Sequence, residues 1–278
     1  MPYNLSMTST TPSGHRAAAF FDLDKTVIAK SSTLAFVRPL HTAGLLKHRT
    51  LLKAAVAQAV YRTIGADQLQ LDRVRDQLIR LTKGWKADRI RRLVQETVDE
   101  VISPVVYAEA LALIEQHRRE GREIVIVSVS PEEVVRPLAG YLGVDNVIAT
   151  RSAVDNEGRY TGSLAFYASG PGKAEAICSM ARERDLDLEQ CFAYSDSHAD
   201  LPMLELVGHP VAVNPDRVLK QTAIERGWPR VEFDKPVTLR SRMATLQRPA
   251  PIISGTALAT AVVGAIALWA LKARQKAA

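Results

Sequence analysis

The stretch AAAFFDLDKT, residues 17–26, decides the reading of the fold. Ala17 to Phe21 is a short, wholly apolar run that reads as a buried strand. It stops at Asp22, and Asp24 follows after a single leucine. A second stretch repeats the arrangement. In CFAYSDSHADLPML, residues 191–204, the apolar run through Tyr194 gives way to Asp196 and then Asp200. Carboxylates set just past a buried strand are costly unless they meet a metal, a cation or a substrate. In an open α/β sheet, ligands sit at the carboxyl edge of the strands. The two clusters therefore point to an enzyme that gathers acids around a hard cation.

Working outward, the chain alternates. Ile124 to Val127 is a continuous β-branched run, as expected of a parallel strand covered on both faces, and it ends at Ser128. Val147–Ala149 and Tyr160–Leu164 flank the turn DNEG and predict a β-hairpin. Cys191–Tyr194 and Pro210–Val213 are further strands. Helices are expected over 105–120, 132–142, 173–184 and 202–207. Strands alternating with helices imply a mainly parallel, Rossmann-like sheet with helices on both faces. Between the first two strands lies a long strand-free stretch, 33–104, whose apolar residues recur at helical spacing over about 45–60, 71–81 and 88–101. It is read as an all-helical insert. The resulting division is a disordered N-terminus over 1–16, an α/β core over 17–32 and 105–234, a helical cap over 33–104, a linker over 235–251 and a C-terminal segment over 252–271.

That last segment, Ile252–Leu271, carries no charge, and 20 residues of helix span about 30 Å, the thickness of a bilayer core. Trp269 sits near one end, and Lys272, Arg274 and Lys276 follow. It is expected to be a single transmembrane helix. The basic residues flanking its two ends nearly balance, so charge does not set its orientation. With no apolar signal-peptide core at the N-terminus, a cytoplasmic catalytic domain on a single-pass membrane protein is the expectation.

The chain has 278 residues, 47% of them hydrophobic, and a formal charge of +6, which suits an anionic substrate or a lipid surface. There is no zinc-finger spacing and no aromatic-and-basic RNA motif, so no nucleic-acid partner is expected. Cys178 and Cys191 are read as reduced core thiols. The stretch SGPGKAEA, residues 169–176, is not a phosphate-binding P-loop, because Tyr167 stands where the first glycine belongs and Ala174 replaces the required Ser or Thr.

The order of these motifs is specific: Asp-x-Asp-x-Thr after the first strand, Ser128 after the next, Lys173 opening a helix, then Asp196 with Asp200. It resembles the haloacid dehalogenase superfamily of phosphohydrolases. The helical insert is similar to that of its phosphoserine phosphatase-like subfamily. The resemblance spans roughly residues 17–234 and implies a Mg2+-dependent phosphomonoesterase. In it, Asp22 is the nucleophile and forms an aspartyl-phosphate, splitting hydrolysis into two easier steps. Asp24 protonates the leaving oxygen and then activates water. Asp22, Asp196 and the backbone carbonyl of Asp24 bind the metal, and Asp200 orders its waters. Lys173 holds nucleophile and phosphate by charge, and Ser128 donates to a phosphoryl oxygen. Ser130 either adds a second donor to the phosphate or caps the following helix. His198 is read as a loop residue.

The pattern departs from phosphoserine phosphatase at one place. Where that enzyme has a glutamate for the substrate's amino group, this chain has Ser31, followed by Ser32 and Thr33. A serine cannot neutralise an ammonium. Together with the apolar tail, this leads to the expectation of a membrane-anchored phosphatase acting on a phospholipid-related head group. The alternatives are a soluble small-metabolite phosphatase, phosphoserine included, and a non-catalytic membrane adaptor.

Overall fold

The computed structural model describes residues 16–46, 76, 79–102, 105–234 and 236–237. Strand β1 (Ala18–Asp22) is buried along its whole length. It pairs in parallel with β3 (Glu123–Pro131) on one side and β6 (Phe192–Ser195) on the other. Outward from β3 come β4 (Asn146–Val154) and, antiparallel to it, β5 (Tyr160–Phe166). Outward from β6 come β7 (His209–Val213) and β8 (Arg230–Val231). The sheet order is β5-β4-β3-β1-β6-β7-β8. The chain leaves β1 toward one edge and later returns to its other side, so β1 lies at the reversal of strand order where open α/β sheets bind ligands. A separate two-stranded sheet joins β2 (Val106–Tyr107) to β9 (Pro236–Val237).

Alternation along β1 sends side chains to both faces. Ala18 and Phe20 enter a cluster with Ile177, Ala181, Met203, Leu204, Leu219 and Ala223. These come from helices α6 (Gly170–Arg184), α7 (Leu201–Leu204) and α8 (Arg217–Glu225). Phe21 faces the other way, stacked on Tyr194 with ring centroids 4.5 Å apart and edge-on to His117 of α4 (Ala108–Arg119). Between β1 and β2 lie the described parts of the cap: α1 (Ser32–Ala35), α2 (Val37–Thr42) and α3 (Ala87–Ile102). Ile90, Val94 and Val98 form a buried stripe on α3, at a spacing that keeps them on one face. Helix α3 packs on α5 (Glu132–Tyr141) of the core, and the Tyr141 hydroxyl donates to Asp99 at 2.6 Å. The turn before α3 is hydrogen-bonded to the β4–β5 hairpin, Gly84 N to Tyr160 O at 2.8 Å and Tyr160 N to Trp85 O at 2.9 Å.

The expected Rossmann-like sheet, hairpin and helical insert are all present. The helix expected over 105–120 starts only at Ala108, because the residues before it are extended alongside the loop after β1. There Ala29 N donates to Val105 O at 2.7 Å and Tyr107 N to Val27 O at 3.0 Å. The helix expected from Lys173 begins at Gly170, with Pro171 in the first turn, where its missing N–H costs nothing. The helices expected around 45–60 and most of 71–81 lie outside the described residues, as do 1–15 and the linker beyond Val237. The expected transmembrane helix requires correction. Among the described residues no helix is long and apolar enough to cross a membrane, and 252–271 lies outside them. Length without charge is necessary for a span but not sufficient, and half of this segment is Ala, Gly and Thr, which contribute little to insertion.

His117 gives the fold a pH signature. It is 3% exposed. Arg122 Nη1, which can only donate, lies 2.8 Å from Nδ1, so the ring proton sits on Nε2, 2.7 Å from the Tyr194 hydroxyl. Burial, reinforced by Arg122, pulls this histidine from 6.5 down to about 4. The native state thus binds fewer protons than the unfolded chain between those values. Its contribution is complete above the unfolded pKa and is lost as pH falls through the folded one. Unfolding in urea is expected to show a loss on the order of 2 kcal/mol from this group between pH 7 and pH 4. His117→Gln should flatten that part of the profile, and an unchanged slope in the variant would reject the assignment.

Candidate active site

Strand register builds the site. Asp22 is opposite Val127, so Ser128 lies one residue beyond it on β3. Phe21 is opposite Tyr194, so Ser195 is level with Asp22 on β6 and Asp196 is one step further. Past β1 the chain turns sharply, with Val27 N and Ile28 N both donating to Leu23 O at 3.0 Å. Lys25 adopts φ 63°, a left-handed conformation that disfavours residues other than glycine. The turn sends Asp24 back over the sheet edge. Its carboxylate accepts from Ser32 N at 2.8 Å and from the Ser130 hydroxyl at 3.3 Å.

Lys173 arrives from α6. A Cβ on Gly170 would sit 2.1 Å from Ala199 O, and one on Gly172 would sit 2.2 Å from Tyr167 O. Glycine at 170 lets the start of α6 press this closely on the turn that carries Asp196 and Asp200, and glycine at 172 leaves room for the segment leading into α6. The lysine is 3% exposed. Its Nζ donates to Asp22 Oδ1 at 2.7 Å and to Asp200 Oδ2 at 2.8 Å. The same Asp200 oxygen accepts from the Ser195 hydroxyl at 2.7 Å. Asp196 is also buried, with Lys25 Nζ 3.8 Å away at the solvent side. Three buried carboxylates thus face one buried ammonium.

The electrostatics follow from that imbalance. Burial lifts Asp22 to about 8 even though Lys173 opposes it, with Asp200 and Asp196 pushing the same way as burial. Asp196 is raised to about 6, first by burial and then by Asp200 and Asp216, against the pull of Lys25. Burial disfavours the charged lysine, but Asp22 and Asp200 together outweigh it and hold Lys173 protonated. An excess of buried negative charge is what a divalent cation would relieve. Among the described residues no group of three or more His, Cys, Asp and Glu side chains forms a ready metal cluster. Mg2+ takes one or two carboxylates and completes its shell with carbonyl, water and substrate oxygens, and the oxygen-only acids at this edge fit it.

All the expected residues converge on this edge: Asp22, Asp24, Ser128, Ser130, Lys173, Asp196 and Asp200. Ser128 is buried and its Oγ accepts from Ser130 N at 3.1 Å. Ser130 does not cap α5, whose cap position is Pro131 with no side-chain bond. His198 is exposed and held by Asp216, its Nδ1 2.8 Å from Oδ2. Sequence reasoning missed Ser195, Lys25, Ser32 and Asp216. Asp216 caps α8 through Leu219 N, and its own amide donates to Asp196 O at 2.7 Å. Its position three residues before Leu219 was a usable cap signal.

Residues 19–205 match the model of the haloacid dehalogenase-like hydrolases, and the chain belongs to that family. A probable phosphatase of Mycobacterium tuberculosis is 50% identical over 256 residues, covering 92% of this chain and 86% of that one. A protein of unknown function from Bordetella pertussis Tohama I has a TM-score of 0.67 at 25% identity, covering 78% of this chain and 99% of that one. The apo form of a phosphoserine phosphatase shares the fold, with a TM-score of 0.55 at 18% identity over 82% of this chain and 98% of that one. The chain is a phosphatase of this family, its fold with the inserted helical cap is phosphoserine phosphatase-like, and the mechanism typical of the family depends on Mg2+. The expectation of a membrane-anchored, single-pass enzyme acting on a lipid head group is corrected. It rested on the apolar tail together with Ser31 in place of a glutamate, whereas the family match lies wholly within the hydrolase body and no described helix can span a bilayer.

Removing the ammonium should expose the cost of the acids around it. Lys173→Met is expected to lower unfolding free energy by about 3–5 kcal/mol, measured in urea without divalent cation, because two buried carboxylates lose their partner. Asp200→Asn in the same background should recover part of that loss.

Proposed function

We propose that this phosphatase hydrolyses a small phosphorylated metabolite through an aspartyl-phosphate formed on Asp22. The observation that carries the reading is the Lys173 ammonium bonded to Asp22 at 2.7 Å and Asp200 at 2.8 Å, at a sheet edge with surplus buried carboxylate. A carboxylate attacks a phosphate only when their mutual repulsion is offset.

In this reading Asp22, Asp196 and the Asp24 carbonyl would hold Mg2+, with Asp200 behind it, and the ion would supply positive charge against the phosphoryl oxygens. The Asp22 carboxylate forms a bond to phosphorus while the bond to the leaving oxygen breaks. Asp24 delivers its proton to that oxygen. It then takes a proton from water, whose oxygen attacks phosphorus and releases Asp22 with inorganic phosphate. Lys173 holds the nucleophile by Oδ1 and neutralises the phosphate. Ser128 has its oxygen engaged by Ser130 N, so its hydroxyl hydrogen is available to a phosphoryl oxygen. The likeness to a phosphoserine phosphatase supports a small phosphomonoester substrate. Ser31, in place of an acid, supports one that needs no ammonium site.

The purified full chain should release phosphate from small phosphomonoesters, phosphoserine among those screened, only with Mg2+ present, and lose the activity to a chelator. Asp22→Asn should cost more than about 10³-fold in kcat, since it removes the nucleophile itself. Turnover that survives this substitution would reject the aspartyl-phosphate.

A further inference from the structure

Ser130 occupies a junction that the phosphate chemistry does not explain. It is 3% exposed, and Ser32, from the first residue of the cap helix α1, is fully buried beside it. Ser32 Oγ donates to Ser130 Oγ at 2.8 Å, and Thr33 Oγ1 lies 2.9 Å from the same oxygen. The Ser130 hydroxyl has one hydrogen, and the acceptors within reach are Thr33 Oγ1 and Asp24 Oδ2, the latter at 3.3 Å. The ionised Asp24 carboxylate is the stronger acceptor, so the hydrogen goes to Asp24 and Thr33 donates to Ser130, and a proton taken up by Asp24 still leaves each carboxyl oxygen a lone pair for these bonds. The other Asp24 oxygen accepts from Ser32 N at 2.8 Å. Both carboxylate oxygens are therefore tied, one to the end of β3 through Ser130 and one to the backbone that opens the cap. A hydroxyl spent in this way has no hydrogen left for a phosphoryl oxygen.

We propose that Ser130 is a positioning residue for Asp24, and that Ser32 couples this positioning to the seating of the cap. The proposal rests on the reading of Asp24 as the proton donor. Its consequence is selective. Proton delivery matters when the leaving group is a poor one, such as an alkoxide, and hardly at all for nitrophenolate. A contact to the phosphate would instead serve both esters alike.

The test compares kcat/KM for an alkyl monophosphate and for p-nitrophenyl phosphate, using the full chain saturated with Mg2+. Ser130→Ala is expected to lower the alkyl-to-aryl ratio about 10-fold, part of the 10²–10⁴ that a general acid supplies. Ser130→Thr should restore it. Ser32→Ala should move the ratio the same way by about threefold, given its one-step-removed hydroxyl contact, and it stands as a separate test if Ser130→Ala does not fold. Equal losses on both esters, or an unchanged ratio, would overturn the positioning role. Asp24→Asn calibrates the measurement: if it leaves the ratio unchanged, the reading of Asp24 as acid fails rather than the role of Ser130.

Discussion

The buried ammonium of Lys173, bonded at once to Asp22 and Asp200, is the interaction on which the site depends. Without it, the end of the central strand would bring carboxylates together in a poorly hydrated place, and they would take up protons or push apart. With it, Asp22 and Asp200 share one cationic partner and are fixed on either side of it. The pairing is bought with glycine. Position 170 is bare because the oxygen of Ala199 occupies the space a side chain would need. The apolar contacts of Ile177 and Ala181 then hold the rest of α6 against the sheet, so the lysine reaches inward from a fixed base.

Topology supplies the convergence. Because β1 is flanked by parallel partners on both sides, the residues that follow all three strands emerge at one edge, in register to within a residue. The side chains below that edge are apolar, and Asp22 is the first charged residue on β1. The turn after it departs from ordinary backbone preference at Lys25, and the departure is compensated by amides closing on Leu23 and by the long cation reaching toward Asp196.

Most of this was legible in the sequence because the signals were local and mutually consistent. Apolar runs ending in acids predicted β1 and β6, and the β-branched run predicted the middle of β3. The order of the motifs then identified Asp22, Asp24, Ser128, Lys173, Asp196 and Asp200 as neighbours. What was illegible depended on contacts distant in sequence. Val105–Tyr107 read as helix because nothing nearby reveals that Val27 and Ala29 will satisfy their backbone. The helix was expected to start only at Lys173 because the close approach of Ala199 to Gly170 belongs to a segment 29 residues away. Ser195 carried no signal of its own, because its partner Asp200 meets it only through the fold of the intervening turn. The C-terminal run misled for a different reason: absence of charge over 20 residues says what a segment can tolerate and not where it resides.

The cap joins the core through the segment around Ala29–Ser32 and through the return at Val105, and Ala29 N to Val105 O ties these two connections together. Farther out, α3 is braced against α5 and against the hairpin. The described cap is thus anchored at both ends to rigid elements of the sheet, and its first helix begins at the residue whose amide fixes Asp24. Proton delivery and cap seating then share a structural variable. On the proposed reading of Asp24 as the proton donor, a substrate that draws α1 inward acts directly on that acid, through a bond of 2.8 Å and not through a long relay. Selectivity in such an arrangement arises from more than the shape of the space under the cap. A small ester that fits but leaves Ser32 displaced would be bound and poorly cleaved, because binding energy not transmitted to the acid lowers KM without raising kcat.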